Sequence, residues 1–253
     1  MNCTAASPLL GHDPNSAVPI ALERLRVHEP PEGYWLAFSG GKDSIIIYDL
    51  AQRSGVKFEA HYNVTGIDPP ELVRFIRDHY PAVIRDPPPE SIWRMIETEG
   101  LPSRKARWCC ERLKEKGGHG RIVITGVRRA ESTRRRQRGV FEACFRDGTK
   151  HYLNPIVDWT NTQVWDYIRK AGLEYCSLYD EGWSRLGCIL CPMKDPWQDM
   201  RRWPKVAELW RKAAFRYYAH SASAQKFLAP ETFWRWWLSR RGEIKAGQMV
   251  LFE

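Results

Sequence analysis

The most constraining stretch of this sequence is a junction. Residues 34–38, Tyr-Trp-Leu-Ala-Phe, form a short apolar and aromatic run that reads as a buried strand. The run leads directly into Ser39-Gly40-Gly41-Lys42-Asp43-Ser44. Residues 45–53 then continue without a breaker and read as a helix closed by Gly55. Two glycines at a strand-to-helix turn can take positive φ and let the backbone come close to an anion. The N–H groups of the helix's first turn have no partners within the helix and point at the same spot, with the helix dipole behind them. Ser39 and Ser44 add hydroxyl donors and Lys42 a compact cation. A phosphate is therefore the expected guest of Ser39, Gly40, Gly41, Lys42, Asp43 and Ser44. The spacing is not that of a Walker A loop, which needs four residues between its first Gly and Gly-Lys-[Ser/Thr]. The bland alternative is an ordinary glycine-rich turn capped by Ser39.

The rest of the chain repeats the strand-then-helix alternation. Residues 58–64 are the next strand candidate. Asp68-Pro69-Pro70-Glu71 then reads as a helix start, with Asp68 as cap, and the helix runs to about His79. Residues 122–125 form another β-branched run. Residues 140–145 and 151–153 flank Asp147-Gly148, a hairpin signal. Thr160-x-x-Gln163 opens a helix ending near Gly172. This order predicts an α/β fold, Rossmann-like, with a parallel sheet and helices on both faces. Residues 1–20 read as a loose lead-in, 21–193 as the α/β domain with a first short helix over 21–28, and 194–253 as a helical, basic, Trp-rich region with a strand at 249–252.

Composition narrows the class. Thirty-nine Lys+Arg against 30 Asp+Glu give +9 with neutral histidines, and 12 Trp, 10 Tyr and 9 Phe rule out disorder as the main state. No window approaches the roughly 18 uninterrupted apolar residues of a membrane span. No basic stretch precedes an apolar one near the N-terminus, so no secretory signal and a cytoplasmic setting are expected. The charge is local: residues 201–245 hold eleven Lys+Arg against three Glu, with Trp203, Trp210, Trp234, Trp236 and Trp237 interleaved. Cations and aromatics together suit nucleic acid; an amphipathic helical cap with packed tryptophans is the other reading. A second concentration, Arg128, Arg129, Arg134, Arg135, Arg136 and Arg138, follows a strand end and Gly126. Guanidinium forks bind phosphate or sulfate. Arg128 and Arg134 are the best anion ligands of the set.

Seven cysteines in a chain too long to need staples favour a reducing compartment. Cys3, Cys144 and Cys176 stand alone. Cys109 and Cys110 are adjacent, and Cys188-x-x-Cys191 follows after 77 intervening residues, 111–187. Two local pairs of sulfurs can hold one metal centre. An iron–sulfur cluster, zinc and a thiol redox pair are all open on spacing.

The loop motif resembles that of the PP-loop ATP pyrophosphatases, the adenine nucleotide alpha-hydrolases, and more closely their phosphoadenosine phosphosulfate (PAPS) reductase branch. Three further stretches carry the resemblance across residues 33–193. Asn63-Val64-Thr65-Gly66 is similar to the family's nucleotide-contacting Thr-Gly. Thr125-Gly126-Val127-Arg128-Arg129-Ala130-Glu131-Ser132-Thr133-Arg134-Arg135 is similar to its Gly-[Ile/Val]-Arg-x-x-Glu-Ser-x-x-Arg segment. Asn154-Pro155-Ile156-Val157-Asp158-Trp159 with Val164-Trp165-Asp166-Tyr167-Ile168 is similar to its Asn-Pro-Leu-x-Asp-Trp…Val-Trp-x-Tyr-Ile segment. The resemblance implies nucleotide contacts at Asn63, Thr65, Gly66, Gly126, Arg128 and Arg134, and roles in the reaction for Lys42, Asp43 and Arg128. It also shifts the thiol quartet toward a [4Fe–4S] cluster held by Cys109, Cys110, Cys188 and Cys191.

The branch's sulfonucleotide reductases attack sulfur with a cysteine in a Glu-Cys-Gly-Leu-His segment, and the 253 residues hold no Cys after Cys191. The resemblance therefore points first to the superfamily's other chemistry. In it ATP with Mg²⁺ adenylylates a substrate oxygen, and sulfur from a cysteine desulfurase or another donor then displaces AMP on a nucleic acid or nucleotide. Asp43 is the candidate Mg²⁺ residue. The alternatives are sulfonucleotide reduction and a metal-stabilised nucleic-acid-binding module without turnover. Sequence sets no oligomeric state.

Overall fold

The structure is a computed structural model and describes residues 17–239. Six strands form one sheet: β1 (Tyr34–Ala37), β2 (Phe58–Asn63), β3 (Ile84–Asp86), β4 (Ile122–Ile124), β5 (Phe141–Ala143) and β6 (His151–Leu153), in the order β3-β2-β1-β4-β6-β5. β2 and β3, β1 and β4, and β4 and β6 pair parallel; β5 runs antiparallel to β6 at the edge. The α/β class and the mostly parallel sheet expected from the alternation are thus present. An antiparallel edge strand on such a sheet is common, and here it is the hairpin signalled by Asp147-Gly148.

The helices are α1 (Ala17–Val27), α2 (Lys42–Ser54), α3 (Pro70–His79), α4 (Ile92–Glu99), α5 (Trp108–Leu113), α6 (Asn161–Ala171), α7 (Pro196–Arg202), α8 (Pro204–His220) and α9 (Pro230–Ser239). Local rules set most of their ends. Gly55, at φ 77, closes α2. Thr160 and Gln163 form the expected capping box of α6, and Gly172 ends it in the left-handed conformation. The first helix begins at Ala17, four residues before the expected start. Asp68 does not cap α3: its N-cap is Pro69, with no side-chain bond. The Asp68 carboxylate instead accepts the hydroxyls of Tyr62 at 2.6 Å and Thr65 at 2.7 Å. Two hydroxyl donors already in place outcompete one backbone N–H. The expected strand at 249–252 and lead-in at 1–16 lie outside the described residues.

The chain divides into two compact units that interleave along the sequence. One comprises the described part of Met1–Phe38 with Lys42–Ala60 and Gly118–Tyr175. Its core is built on Leu36, Ile45, Ile46, Ile47, Leu50, Ile124, Leu153 and Val164, all fully buried. The other comprises Ser39–Gly41, His61–Gly117 and the described part of Cys176–Glu253. Its aromatic core runs through α4, α8 and α9. Trp210 sits edge-on to Trp93 at 5.7 Å and stacks on Trp237 at 5.1 Å, and Trp237 stacks on Trp234. The Trp237 indole donates to Pro102 O at 2.7 Å. No described helix is long and apolar enough to cross a membrane.

Candidate functional site

In the first unit, β1 and β4 are neighbours whose following segments leave the sheet at the same end. That is where α/β folds take ligands. The segment after β1 becomes α2, whose first turn is Lys42-Asp43-Ser44. The segment after β4 carries Gly126 and Arg128. A Cβ on Gly126 would lie 3.0 Å from the Asp43 main chain, so glycine is what lets these two segments approach. Arg128 is 1% exposed, and its guanidinium is directed wholly to protein partners. Nε donates to Asp43 Oδ1 at 2.7 Å, Nη1 to Trp159 O at 3.1 Å and Nη2 to Asn161 Oδ1 at 3.0 Å. Asp43 Oδ2 faces the Lys42 ammonium at 3.3 Å. Both Asp43 oxygens therefore already meet cations.

Around Arg128 the arginine run is sorted by burial. Arg129 pairs with Asp158, Arg135 with Glu131 and Arg138 with Glu142. Arg134 and Arg136 are exposed and make no ion pair among the described residues. Of the two arginines expected to meet an anion, Arg134 displays its guanidinium to solvent and Arg128 spends its own on the loop.

The loop's first three residues belong to the second unit. Gly40 has φ 69, and a Cβ there would sit 2.7–2.8 Å from the side chains of Ile76 and Leu72. Glycine is required at this position by conformation and by packing together. Gly41 is different: a Cβ there would meet only Ser39 Oγ and Tyr179 Oη, both at 3.5 Å. Its N–H lies 3.4 Å from Ser39 Oγ. Ser39 is exposed and Ser44 buried.

All four cysteines of the expected ligand set line one pocket of the second unit, about 120 Å³ in volume. Cys109 and Cys110 enter from α5, Cys188 and Cys191 from the turn before α7. Thr65, Ile67, Leu113, Met193 and Trp210 supply other walls, and Arg107, Lys114 and Arg185 supply cations. Arg107 and Arg185 form no ion pair among the described residues. Lys114 is exposed as a residue and lines the pocket. Burial pulls its pKa down, but Cys188 and Asp68 outweigh that and hold it above the ordinary value. Burial pushes the Cys188 thiol up to about 11, opposed by Lys114. The two neighbouring thiols act on each other: their interaction holds Cys109 above the ordinary thiol range and, with Arg107 and Lys114 nearby, Cys110 below it. Cys176 is buried and does not line the pocket. Among the described residues no three His, Cys, Asp or Glu side chains already stand together at metal-holding positions.

Two residues expected to contact nucleotide serve this pocket's wall. Thr65 is 1% exposed; its hydroxyl donates to Asp68 and lies 3.7 Å from Cys188 Sγ. Asn63 donates to Lys114 O at 3.1 Å, tethering the end of α5. Gly66, at φ 75, has nothing within 4 Å of a would-be Cβ, so it serves the turn and not a close approach. Sequence reasoning missed Asp68, Lys114 and Asp199. A lysine four residues after a Cys-Cys pair was the one available signal.

Four of the five tryptophans of residues 201–239 are buried. Trp203, Trp210, Trp234 and Trp237 are each under 9% exposed. Arg202 pairs with Glu71 and Glu181, Arg211 with Glu208, and Arg216 with Glu97. Trp210, Trp234 and Trp237 stack together, Trp203 packs on Trp183, and Trp236 is half-buried against Phe227 and Phe233, which weakens the aromatic half of the argument for nucleic acid along residues 201–239.

The family model of the phosphoadenosine phosphosulfate reductase domain matches residues 33–194. An adenosine 5'-phosphosulfate reductase of Pseudomonas aeruginosa is 31% identical over 204 residues, covering 74% of each chain. An uncharacterized protein of Methanocaldococcus jannaschii is 28% identical over 220 residues, 79% of this chain. The chain spans only 45% of that relative's length and 40% of a second one from the same organism. Among solved structures, the PAPS reductase of Candida auris in a phosphate complex matches with a TM-score of 0.51 at 19% identity, covering 73% of this chain and 98% of that one. The FMN adenylyltransferase of Candida glabrata, with FAD and inorganic pyrophosphate, matches at 0.52 and 14% identity, covering 70% and 62%. At those identities the likeness is one of fold.

Proposed function

The chain belongs to the phosphoadenosine phosphosulfate reductase domain family, within the adenine nucleotide alpha-hydrolase-like proteins, and from that premise we propose that it uses ATP to activate an acceptor oxygen for sulfur transfer. The observation that carries this reading is the gathering of Cys109, Cys110, Cys188 and Cys191 around one pocket with Lys114, in a chain that also holds a complete Ser-Gly-Gly-Lys-Asp-Ser loop.

The chemistry divides between the two sets of residues. The N–H groups of the Gly40–Ser44 stretch and the Lys42 ammonium hold the phosphates that leave as pyrophosphate. An oxygen of the acceptor, a nucleic acid or nucleotide, attacks the α-phosphorus, the bond to pyrophosphate breaks, and an AMP ester forms. A sulfur nucleophile then displaces AMP, leaving sulfur where oxygen stood. Arg134 is the exposed cation for the second anion. Arg128 keeps Asp43 and the first turn of α2 in place. Asp43 offers Mg²⁺ no oxygen free of a cation, so no step is assigned to a protein-bound magnesium.

The donor set of the thiol pocket fits a [4Fe–4S] cluster: four sulfurs, apolar walls and a lysine that offsets thiolate charge. Such a group would be held by Cys109, Cys110, Cys188 and Cys191, and it would supply a site for accepting or presenting sulfur from a desulfurase or another donor. Anaerobically purified protein is expected to show broad absorbance at about 400 nm; a colourless, zinc-containing preparation would overturn the cluster. Pyrophosphate and AMP released from ATP and Mg²⁺ in the presence of the acceptor support the reading. The likeness to adenosine 5'-phosphosulfate reductase favours a second reading, sulfonucleotide reduction. Sulfite formed from APS or PAPS with thioredoxin, without pyrophosphate release from ATP, would establish it in place of the first.

A further inference from the structure

The turn that presents Cys188 and Cys191 contains a backbone strain. Leu190 has φ 57 and is the non-glycine residue with positive φ among the described residues. Its Cβ disfavours that conformation, which a leucine keeps only where its surroundings impose it. The Leu190 N–H is met by Asp199, on α7. Asp199 is 1% exposed, and its Oδ2 accepts the Leu190 N–H at 2.6 Å. The same carboxylate receives the Lys194 ammonium at 2.9 Å on Oδ2 and 3.0 Å on Oδ1.

Lys194 is itself tied to the turn. Its N–H donates to Cys191 O at 3.0 Å, and its ammonium lies 5.3 Å from the centre of the Trp183 ring. On the other side the Ile189 N–H donates to Ile67 O at 2.7 Å, and Ile189 and Leu190 are fully buried. The Cys191 N–H closes the turn on Cys188 O at 3.3 Å. The Asp199, Ile67 and Lys194 bonds land on the two residues between the cysteines and on the one three beyond them, Arg104 Nε adds a bond to Pro192 O at 3.2 Å, and Cys188 Sγ meets the Thr65 hydroxyl at 3.7 Å. Both sulfurs are left on the pocket wall.

A buried carboxylate–ammonium pair is a poor way to stabilise a fold, since apolar groups of the same volume do as well. A charged acceptor for a strained N–H is a good way to specify one backbone conformation. We propose that Asp199 is the positioning residue of the Cys188-x-x-Cys191 thiols, acting through Leu190 and Lys194 without touching what the sulfurs hold. The proposal rests on the reading of the four cysteines as one ligand set, and it concerns how that set is shaped.

The test uses the full chain, freed of metal, with Co²⁺ as the probe because its thiolate charge-transfer and d–d bands report ligand type and geometry. Wild type is expected to give thiolate bands. Asp199→Ala is expected to weaken Co²⁺ binding at least about tenfold, the scale of outer partners at metal sites, and to alter the d–d bands. General loosening of the fold would instead lower Tm without changing the bands of the folded, Co²⁺-loaded protein. Wild-type affinity and spectrum in folded Asp199→Ala would overturn the proposal. Asp199→Leu, which fills similar volume but offers Leu190 no acceptor oxygen, is read the same way if the alanine variant does not fold. A wild type without thiolate bands would end the ligand-set reading. Asp199 would then be judged by alkylation of the metal-free thiols. Selective acceleration at Cys188 and Cys191 in Asp199→Ala supports it, and rates equal to wild type refute it.

Discussion

Arg128 is the sharpest place to test how the loop is held. Removing one member of a buried ion pair costs about 3–5 kcal/mol, because the other is left uncompensated. Asp43 is 19% exposed and keeps Lys42 at 3.3 Å, so the lower end applies. Arg128→Ala should therefore destabilise by about 3 kcal/mol. Arg128→Lys keeps the charge, but one ammonium cannot serve Asp43, Trp159 O and Asn161 together, and a loss of about 1–2 kcal/mol is expected. For a chain of this size each kcal/mol shifts Tm by about 2–4 °C. The alanine variant should then melt roughly 6–12 °C lower and the lysine variant a few degrees lower. The assay is denaturant unfolding of wild type, Arg128→Ala, Asp43→Asn and the double variant, with ATP binding measured on each. A coupling energy of about 2 kcal/mol is expected. Coupling below about 0.5 kcal/mol, the range of independent sites, would refute the pairing. Wild-type Tm with abolished ATP binding in Arg128→Lys would refute the positioning role and return Arg128 to direct contact with nucleotide.

Other positions give narrower expectations. Gly40→Ala forces a Cβ to within 2.7–2.8 Å of Ile76 and Leu72 at φ 69, and should cost about 2 kcal/mol or more and abolish phosphate binding, measured by unfolding and by isothermal titration with ATP. Trp210→Ala removes a 1% exposed ring from between Trp93 and Trp237 and should cost about 3–5 kcal/mol, while leaving any nucleic-acid affinity of the folded protein unchanged in a filter-binding assay. Asp147 is held down to about 2, first by the Thr149 hydroxyl and then by His119. With a folded pKa below the unfolded one, its contribution is present above the ordinary 3.8 and is lost as pH falls through about 2. NMR titration should show that midpoint, moving back toward 3.8 in Thr149→Ala.

The elements legible in the sequence are those set by neighbours along the chain. The strand–loop–helix at 34–54, the Thr160–Gln163 box and the Gly172 stop each depend on a few consecutive residues, and each is where local chemistry puts it. Asp68 has the same local credentials as a cap and does not cap, because Tyr62 and Thr65 bring it hydroxyls from outside the local pattern. The cysteine pairs were legible as pairs, whereas their shared pocket depends on α5 and the turn before α7 belonging to one unit. Leu190 carried no sequence signal, since the carboxylate that meets its N–H is nine positions away. The tryptophans of 201–239 show the limit of composition: ring and charge are interleaved equally in a stacking groove and in an amphipathic core, and only burial separates them.

The spacing of Gly126 and Arg128 follows from what each does to the same turn of α2. Gly126 lets the segment after β4 pack against Asp43 so closely that a Cβ there would lie 3.0 Å from the Asp43 main chain. Two residues on, Arg128 is extended, at φ -128 and ψ 144, and reaches back to the Asp43 carboxylate. Steric allowance and charge thus converge on one residue from one strand end. Their order matters: without the close approach at Gly126, the guanidinium could not reach Asp43, Trp159 O and Asn161 at 2.7–3.1 Å at once. A Gly126→Ala variant should then weaken ATP binding through the same loss of the Asp43 pairing. Adding it to Arg128→Ala should cost less than the sum of the two single changes. Additive effects in the unfolding free energies of the two singles and the double would show that glycine and arginine act independently, and would separate the close approach from the ion pair.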